Sequence, residues 1–405
     1  MSDLIPVREH LDRVLATIRP LGIYEQSLLD ACGLPTAEDV TAPIPLPAFD
    51  NSAMDGYAIN YLDVVDATED HPIHLPVVGE IGAGQNRILA LSPGTAVKIM
   101  TGAPVPSGAT AVVPYEWTDR GVAQVRITKA PRQGANIRRA GEDIEAGDVL
   151  ISEGNVVGPR HVGLLAAVGR ATIKARPKPR VVILSTGSEL RDPGTPLGSD
   201  SIYDSNSYML AAAIRAVGGI PYRVGAVPDE RKVFTETLHD QLVRADLVVT
   251  SGGVSEGDYD VVKESLKSIG HVWFGRVAMQ PGKPQGFGLI GDERIPIFTL
   301  PGNPVSAYVS FQVFVLPAIR KLMGCRVLER PRYTCRLTHG LSSPEGKTQF
   351  VRATYDARVA TPVGGHGSHL IGDLAESNAL IVIPPETTTL KPGDSVEVML
   401  LDEEF

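Results

Sequence analysis

The residues with the most chemical potential are carboxylates that follow short apolar runs. Glu189 follows VVILSTGS, Asp229 follows RVGAVP, and Asp258 and Asp260 close SGGVSEGDYD after DLVVT. The same junctions carry Thr186 and Gly187, then Ser251, Gly252, Gly253 and Ser255, then Lys283 of QPGKP, then Pro301, Gly302, Asn303 and Ser306 of LPGNPVS. Glycine lets a backbone approach a bulky group closely. Loops of N–H groups that lead into helix starts bind phosphate-like anions. Carboxylates beside such an anion repel it unless a divalent cation lies between. Glu189, Asp229 and Asp260 therefore point to Mg²⁺ held between protein and phosphate. A single loop of this kind reads as an ordinary turn, whereas five in order at successive junctions argue for a site.

Three further segments lie upstream. NSAMDGYA carries Asp55 between Met54 and Gly56, KIMTGAPVPSGA carries Thr101 and Gly102, and ANIRRAGEDI sets Arg138 and Arg139 beside Glu142 and Asp143. Taken locally, they read equally as a solvated loop, a β-turn and a surface charge cluster. Arginine pairs do suit phosphate oxygens, and a neighbouring Asp could join a metal site. The histidines show no metal-ligand spacing, and GHGSH (365–369) reads as a glycine-rich turn. There is no GxxxxGK[ST]. Arg352 and Ser368 read as surface residues of a C-terminal β-rich stretch.

These groups need elements to position them. Between 178 and 324 the runs VVILST, PYRVGAV, DLVVTSGG, VWFGRVAM and IPIFTL alternate with amphipathic stretches, the last being NPVSAYVSFQVFVLPAIRKLMG. That rhythm predicts a parallel, doubly wound α/β sheet. In such a sheet, ligands bind outside the carboxyl ends of the strands, where the carboxylates above fall. Val7, Leu11, Val14, Leu15 and Ile18 share one face of a helix over 6–18. Residues 60–140 read as a small β unit inserted into another unit, 158–169 as a helix, and 331–405 as a β unit.

The charge balance is −9, from 38 basic and 47 acidic side chains, which argues against nonspecific nucleic-acid or anionic-membrane binding. Apolar residues at 43% and charged residues at 21% are those of a globular chain. Gly (41) and Pro (32) are abundant without a collagen period, so structured loops are expected. Cys32, Cys325 and Cys335 form no CxxC pair, which disfavours a disulfide framework or zinc cage and fits a reducing cytoplasm. The N-terminus lacks signal-peptide character. The longest apolar stretch, 305–319, is too short for a bilayer and carries Ser306, Ser310, Gln312 and Pro317.

The strings FDNSAMDGYA, IMTGAPVP, NIRRAGEDI, STGSEL, YDSN, SGGVSEGDYD, PGKPQGFG and LPGNPVSA occur in the order found in the MoeA family. These are the molybdopterin molybdenumtransferases, which include the gephyrin E-domain, and the resemblance spans essentially the whole chain. It implies four units: a linker and dimerisation unit of 1–45 with 141–175, an inserted β domain of 46–140, an α/β molybdopterin-binding domain of 176–327 and a C-terminal β-barrel of 328–405. It implies a homodimer whose cleft combines the α/β domain of one subunit with the inserted domain of the other. The implied reaction takes adenylylated molybdopterin and molybdate, requires Mg²⁺ and releases AMP.

Carried over motif by motif, Asp55, Thr101, Asp143, Glu189, Asp229 and Asp260 match functional positions, with Glu189, Asp229 and Asp260 assigned to metal and phosphate. Arg138 is assigned to substrate phosphate, and the TG, SGG and PGN loops to the pterin substrate. Lys283, Ser306, Arg352 and Ser368 resemble a molybdate-binding set. Gln280 and Arg276 depart from lysines found in some members, which lowers the positive charge near that anion. A molybdopterin adenylyltransferase of the same pathway is both an alternative activity and a candidate partner. A catalytically silent dimeric scaffold is the non-enzymatic alternative. Nucleic acid and membrane are not expected partners.

Overall fold

Residues 4–84, 90–252 and 261–402 are described by a computed structural model. Gly253, Ser255, Asp258 and Asp260 lie outside the described residues.

Period-two alternation of apolar residues builds the central sheet, because successive side chains on a strand point to opposite faces. Val181, Ile183, Leu247, Val249 and Phe298 face one way and pack on Leu11, Leu210, Ile214 and Phe314, from helices Val7–Thr17, Ser205–Ala216 and Pro304–Met323. Val182, Leu184, Val248 and Ile297 face the other way, onto Phe234 and Leu238 of helix Arg231–Leu242 and Val262 and Leu266 of helix Val261–Ile269. Both faces are covered, as in doubly wound folds.

The sheet has seven strands, in the order Leu4–Ile5, Gly270–Val277, Pro284–Ile290, Ile295–Leu300, Leu247–Ser251, Arg180–Thr186 and Ile220–Val227. The expectation of an all-parallel sheet is corrected at one strand. Pro284–Ile290 runs antiparallel to both neighbours. Its sequence, PQGFGLI, is poor in strand formers because the backbones crowd there. A Cβ on Gly286 would lie 2.0 Å from Thr299 Oγ1, and one on Gly288 2.1 Å from the His271 carbonyl. Two antiparallel steps restore direction, so Gly270–Val277 runs with the parallel set. All five of the junctions singled out above therefore end at one edge. The 278–283 turn, however, joins strands lying four and three spacings from Arg180–Thr186, roughly 14–19 Å. That separates Lys283 from the Glu189 region.

Helix Pro304–Met323 is longer than the apolar stretch suggested. By length and composition it could cross a membrane, yet 89% of its most apolar stretch is buried inside the protein. Pro317 lies inside it and offers no N–H. The preceding turn Phe311–Val315 widens to π geometry, with the Leu316 amide donating to the Phe311 carbonyl.

Before the sheet, Ala111–Pro114, Gly56–Ile59, Ala96–Ile99, Ile73–Ile81 and Gln124–Ile127 form a five-stranded sheet over Tyr57, Ile59, Val113 and Ile127. The chain then returns. Val149–Ile151 pairs with Val40–Thr41, and Thr172–Ala175 with Tyr24–Ser27. Leu165 of helix Pro159–Ala167 closes a small core with Val40, Ile151 and Ile173. After the sheet, Thr348–Tyr355, Val359–Pro362, Arg332–Leu337, Ser395–Leu400 and Ala379–Ile383 close into a five-stranded barrel, since the last strand pairs back with the first. Met279–Gln280 adds to Thr348–Tyr355 in parallel, tying the barrel to the turn at the sheet edge.

Candidate functional site

A cavity of about 360 Å³ opens at the carboxyl edge of the parallel strands. Thr186, Gly187, Glu189, Asp229, Ser251, Gly252 and Gly302 line it, together with Asp204 and Asn206. Four successive strand ends thus bring their loops to one place. Gly252 has φ +93°, and a Cβ there would meet Thr186 Oγ1 at 2.9 Å and the Thr186 carbonyl at 3.0 Å. Only glycine lets the two loops pass so closely. Helix Pro304–Met323 begins at the same cavity, with Pro304 pre-set for its first turn and the Val305 and Ala307 amides taken by the Ser368 and Asn303 carbonyls.

Asp204 and Asn206 carry the YDSN motif, but no role was assigned to them from sequence. Asp204 is 1% exposed and caps helix Ser205–Ala216, accepting from the Ser207 amide at 3.0 Å. It also accepts from the Ser185 and Ser207 hydroxyls, and Arg223 lies 4.0 Å away. Its carboxylate is committed to holding the wall. Asn206 Nδ2 donates to Ser251 Oγ and to the Gly302 carbonyl, each at 2.7 Å, and so ties two loops together. The Ser/Asn helix start was legible; that its side chains would reach two other strand ends was not.

Upstream, the Asp55 carboxylate accepts from both the amide (2.7 Å) and the hydroxyl (2.8 Å) of Thr101. The amide first, then the hydroxyl, holds Asp55 below the usual carboxylate range. The loops are stitched further by Gly102 N–H to the Ser52 carbonyl at 2.8 Å. Arg138 pairs across from Asn51, and the Asp143 amide donates to the Leu46 carbonyl at 3.0 Å. The 137–144 segment therefore runs antiparallel to 46–52, with the exposed Arg138 across from Asn51, close to Asp55, and the exposed Asp143 at the far end beside Leu46. Asp50, which the sequence did not single out, organises this strip. It accepts from the Ala140 amide at 2.8 Å and from Arg139 at 2.6 Å.

The anion set divides. Ser306 is 5% exposed in the first turn of the core helix, and Ser368 sits beside that turn. Ser368 Oγ accepts from Asn303 at 2.9 Å, and its carbonyl accepts from the Val305 amide at 3.1 Å. Arg352 is not a surface residue: it is 4% exposed. Its guanidinium donates to the carbonyls of Gly367 (3.0 Å), Leu370 (3.3 Å) and Gly365, and Asp373 lies 3.6 Å away. It holds the loop that carries Ser368. A barrel strand read from sequence as two-faced buries this side chain under the 363–370 loop. Gln280, Gln349, Arg352 and His366 line a small cavity of about 20 Å³ beside it.

Among the described residues, no group of three or more His, Cys, Asp or Glu side chains is placed to hold a metal. Two carboxylates, Glu189 and Asp229, share the strand-edge cavity. That donor set suits Mg²⁺, which keeps several waters and takes its remaining ligands from substrate phosphates. A larger cavity, about 560 Å³, lies between helix Val7–Thr17 and the barrel. Its charged groups are engaged, Arg8 with Glu329, Arg332 with Glu397 and Arg330 with the Gln312 amide oxygen, so it offers less for chemistry.

Residues 5–169 match the MoeA N-terminal region (domain I and II), 182–321 a probable molybdopterin binding domain, and 334–401 the MoeA C-terminal region (domain IV). Over 400 residues the chain is 46% identical to molybdopterin molybdenumtransferase 2 of Mycobacterium tuberculosis, covering 97% of this chain and 98% of that one. The chain belongs to the MoeA family. It is also 35% identical over 412 residues to the molybdopterin molybdenumtransferase of Bacillus subtilis, covering 99% and 95%. The crystal structure of the molybdopterin biosynthesis MoeA protein from Pyrococcus horikosii superposes with a TM-score of 0.87 at 31% identity, over 100% of both chains. In the MoeA frame, the mixed sheet with its strand-edge cavity falls in the molybdopterin-binding match. The Asp55–Thr101 strip falls in the N-terminal match, and Arg352 and Ser368 in the C-terminal one.

Proposed function

We propose that the chain is a molybdopterin molybdenumtransferase that uses Mg²⁺ to transfer molybdenum from molybdate to adenylylated molybdopterin, with release of AMP. The observation that carries this is the convergence of Glu189 and Asp229 with the Thr186, Ser251, Gly252 and Gly302 loops and a helix start in one cavity. The Thr186 and Ser251 hydroxyls on these loops suit a diphosphate, which donates nothing and needs donors around it. Glu189 and Asp229, with Asp260 as a further candidate, are the residues to hold Mg²⁺. When bound, Mg²⁺ supplies charge neutralisation at the phosphates being separated. Ser306, Ser368 and Lys283 are the candidates for molybdate, with Arg352 fixing the Ser368 loop.

We assign the Asp55, Thr101, Arg138 and Asp143 strip to the same reaction, contributed by a second copy in a homodimer. The strip is exposed and ordered by its own hydrogen bonds, and it belongs to a separate sheet from the cavity. The four-unit division given above accompanies this reading. Purified protein given adenylylated molybdopterin, Mg²⁺ and molybdate is expected to release AMP, and to release little when either ion is withheld. No AMP release with both present would overturn the proposal. Formation of adenylylated molybdopterin from ATP and molybdopterin would replace it with the adenylyltransferase reading.

A further inference from the structure

We infer that Asn206 is a positioning residue for the diphosphate of the substrate, acting through the Ser251 hydroxyl; this rests on the reading just given. Asn206 is the second residue of helix Ser205–Ala216, and its side chain reaches the ends of two neighbouring strands. Nδ2 carries two protons, and both are used: one goes to Ser251 Oγ at 2.7 Å and the other to the Gly302 carbonyl at 2.7 Å. The amide orientation is fixed by the second bond. Turned over, Oδ1 would face the Gly302 carbonyl oxygen, two acceptors at hydrogen-bond distance.

The consequence falls on Ser251. The residue is 3% exposed and lines the cavity. Its oxygen accepts from Asn206, so its own proton must be given elsewhere, and among the described residues no acceptor takes it. A serine whose lone pair is engaged by an amide, and whose proton is free at the wall of a cavity, is set as a donor. The Gly252 and Gly302 loops wall the same cavity, and since the Gly252 amide is taken by the Leu300 carbonyl and the Val305 amide by the Ser368 carbonyl, the Ser251 O–H is a donor this wall offers to an anion. Asn206 thus does two things at once. It turns the Ser251 O–H toward a phosphate oxygen, and it fixes the Gly302 loop that leads into the helix start.

The test is a double-mutant cycle on the full chain, using inorganic pyrophosphate as the binding probe in calorimetry and AMP release as the kinetic readout. Ser251→Ala should weaken pyrophosphate binding by about 10-fold or more, the size of a hydrogen bond to a charged group. Asn206→Ala should weaken it at least as much. The double variant should be no weaker than Asn206→Ala alone, within about twofold, because the second change removes a donor already misdirected. Losses that multiply would overturn the inference, since Asn206 would then act independently of Ser251. Asn206→Asp keeps the shape and removes the amide donor; wild-type affinity in that variant would also overturn it. Ser251→Thr, which keeps the hydroxyl, should recover most of the binding, whereas a purely structural role would favour Ala over the bulkier Thr. If wild-type protein releases AMP while the cycle is additive, this inference fails and the proposed function stands. If wild-type protein releases none, the failure lies with the function.

Discussion

Replacing Gly56 by Ala should unfold the Asp55 region without touching a functional group. Gly56 starts the strand that follows Asp55 and pairs with Ile99 on one side and Pro114 on the other. A Cβ at this position would sit 2.0 Å from the Val113 carbonyl oxygen and 2.9 Å from its carbon. Both are backbone atoms in mid-sheet, so relief requires the strands to part by more than roughly 1 Å. That breaks the Gly56–Pro114 and Tyr57–Val113 pairings and disturbs Tyr57, which is fully buried and donates to the Gly121 carbonyl at 2.9 Å. Two or three backbone hydrogen bonds at about 1 kcal/mol each, with about 1–3 kcal/mol for overpacking, give about 3–6 kcal/mol. The control is Gly163→Ala, on the exposed side of helix Pro159–Ala167, where a Cβ meets nothing within 4 Å. It should stabilise by about 0.5–1 kcal/mol. Urea unfolding followed by circular dichroism measures both. A Gly56→Ala protein within about 0.5 kcal/mol of wild type would refute the steric argument, because that is the range of neutral surface changes.

Other outcomes follow from single sites. His10 is 2% exposed against Trp273 (4.9 Å) and Phe314 (4.8 Å), and burial first, then Arg13, lowers its pKa from 6.5 to about 4. Its contribution is full above pH 6.5 and is lost as pH falls toward 4, by up to about 3 kcal/mol; His10→Phe should flatten that part of the stability–pH curve. Arg352→Ala should cost about 3–5 kcal/mol by stranding three carbonyls and Asp373, and Arg352→Lys should restore only part, because a point charge cannot serve a fork of acceptors; thermal unfolding and protease cleavage within 363–370 report it. Asp204→Ala should cost about 2–4 kcal/mol through the lost cap and the orphaned Ser185 and Ser207 hydroxyls, read by the same unfolding assay.

Much of this architecture could be read in the residues because local pattern and global fold agree. Val181 to Leu184 alternate between two cores, so VVILST announces a strand covered on both faces. The strand Pro284–Ile290 escaped for the opposite reason. Its glycines answer to crowding by Thr299 and His271, which only the assembled sheet reveals. That Glu189 and Asp229 sit at strand ends, where they line one cavity, was legible because a carboxylate in a glycine-rich strand end is a local signal. Asn206 was not singled out, because its partners Ser251 and Gly302 lie 45 and 96 residues away in sequence. Arg352 shows the same limit from the other side. On a barrel strand a charged residue reads as solvent-facing, and only the 363–370 loop folding over it supplies the carbonyls that let it be buried.

In the proposed function two copies of the chain complete each other's site, and co-assembly of two disabled variants tests this directly. Asp55→Ala removes the carboxylate of the N-terminal strip, and Glu189→Gln removes one from the strand-edge cavity; each homodimer should release AMP very slowly. Mixed by unfolding and refolding together, or co-expressed, half the dimers would carry one of each. Each such dimer has one fully intact composite cleft, so AMP release should return to about a quarter of the wild-type rate. Release no greater than that of the two variants measured separately would contradict the convergence of acidic groups from two subunits on one substrate.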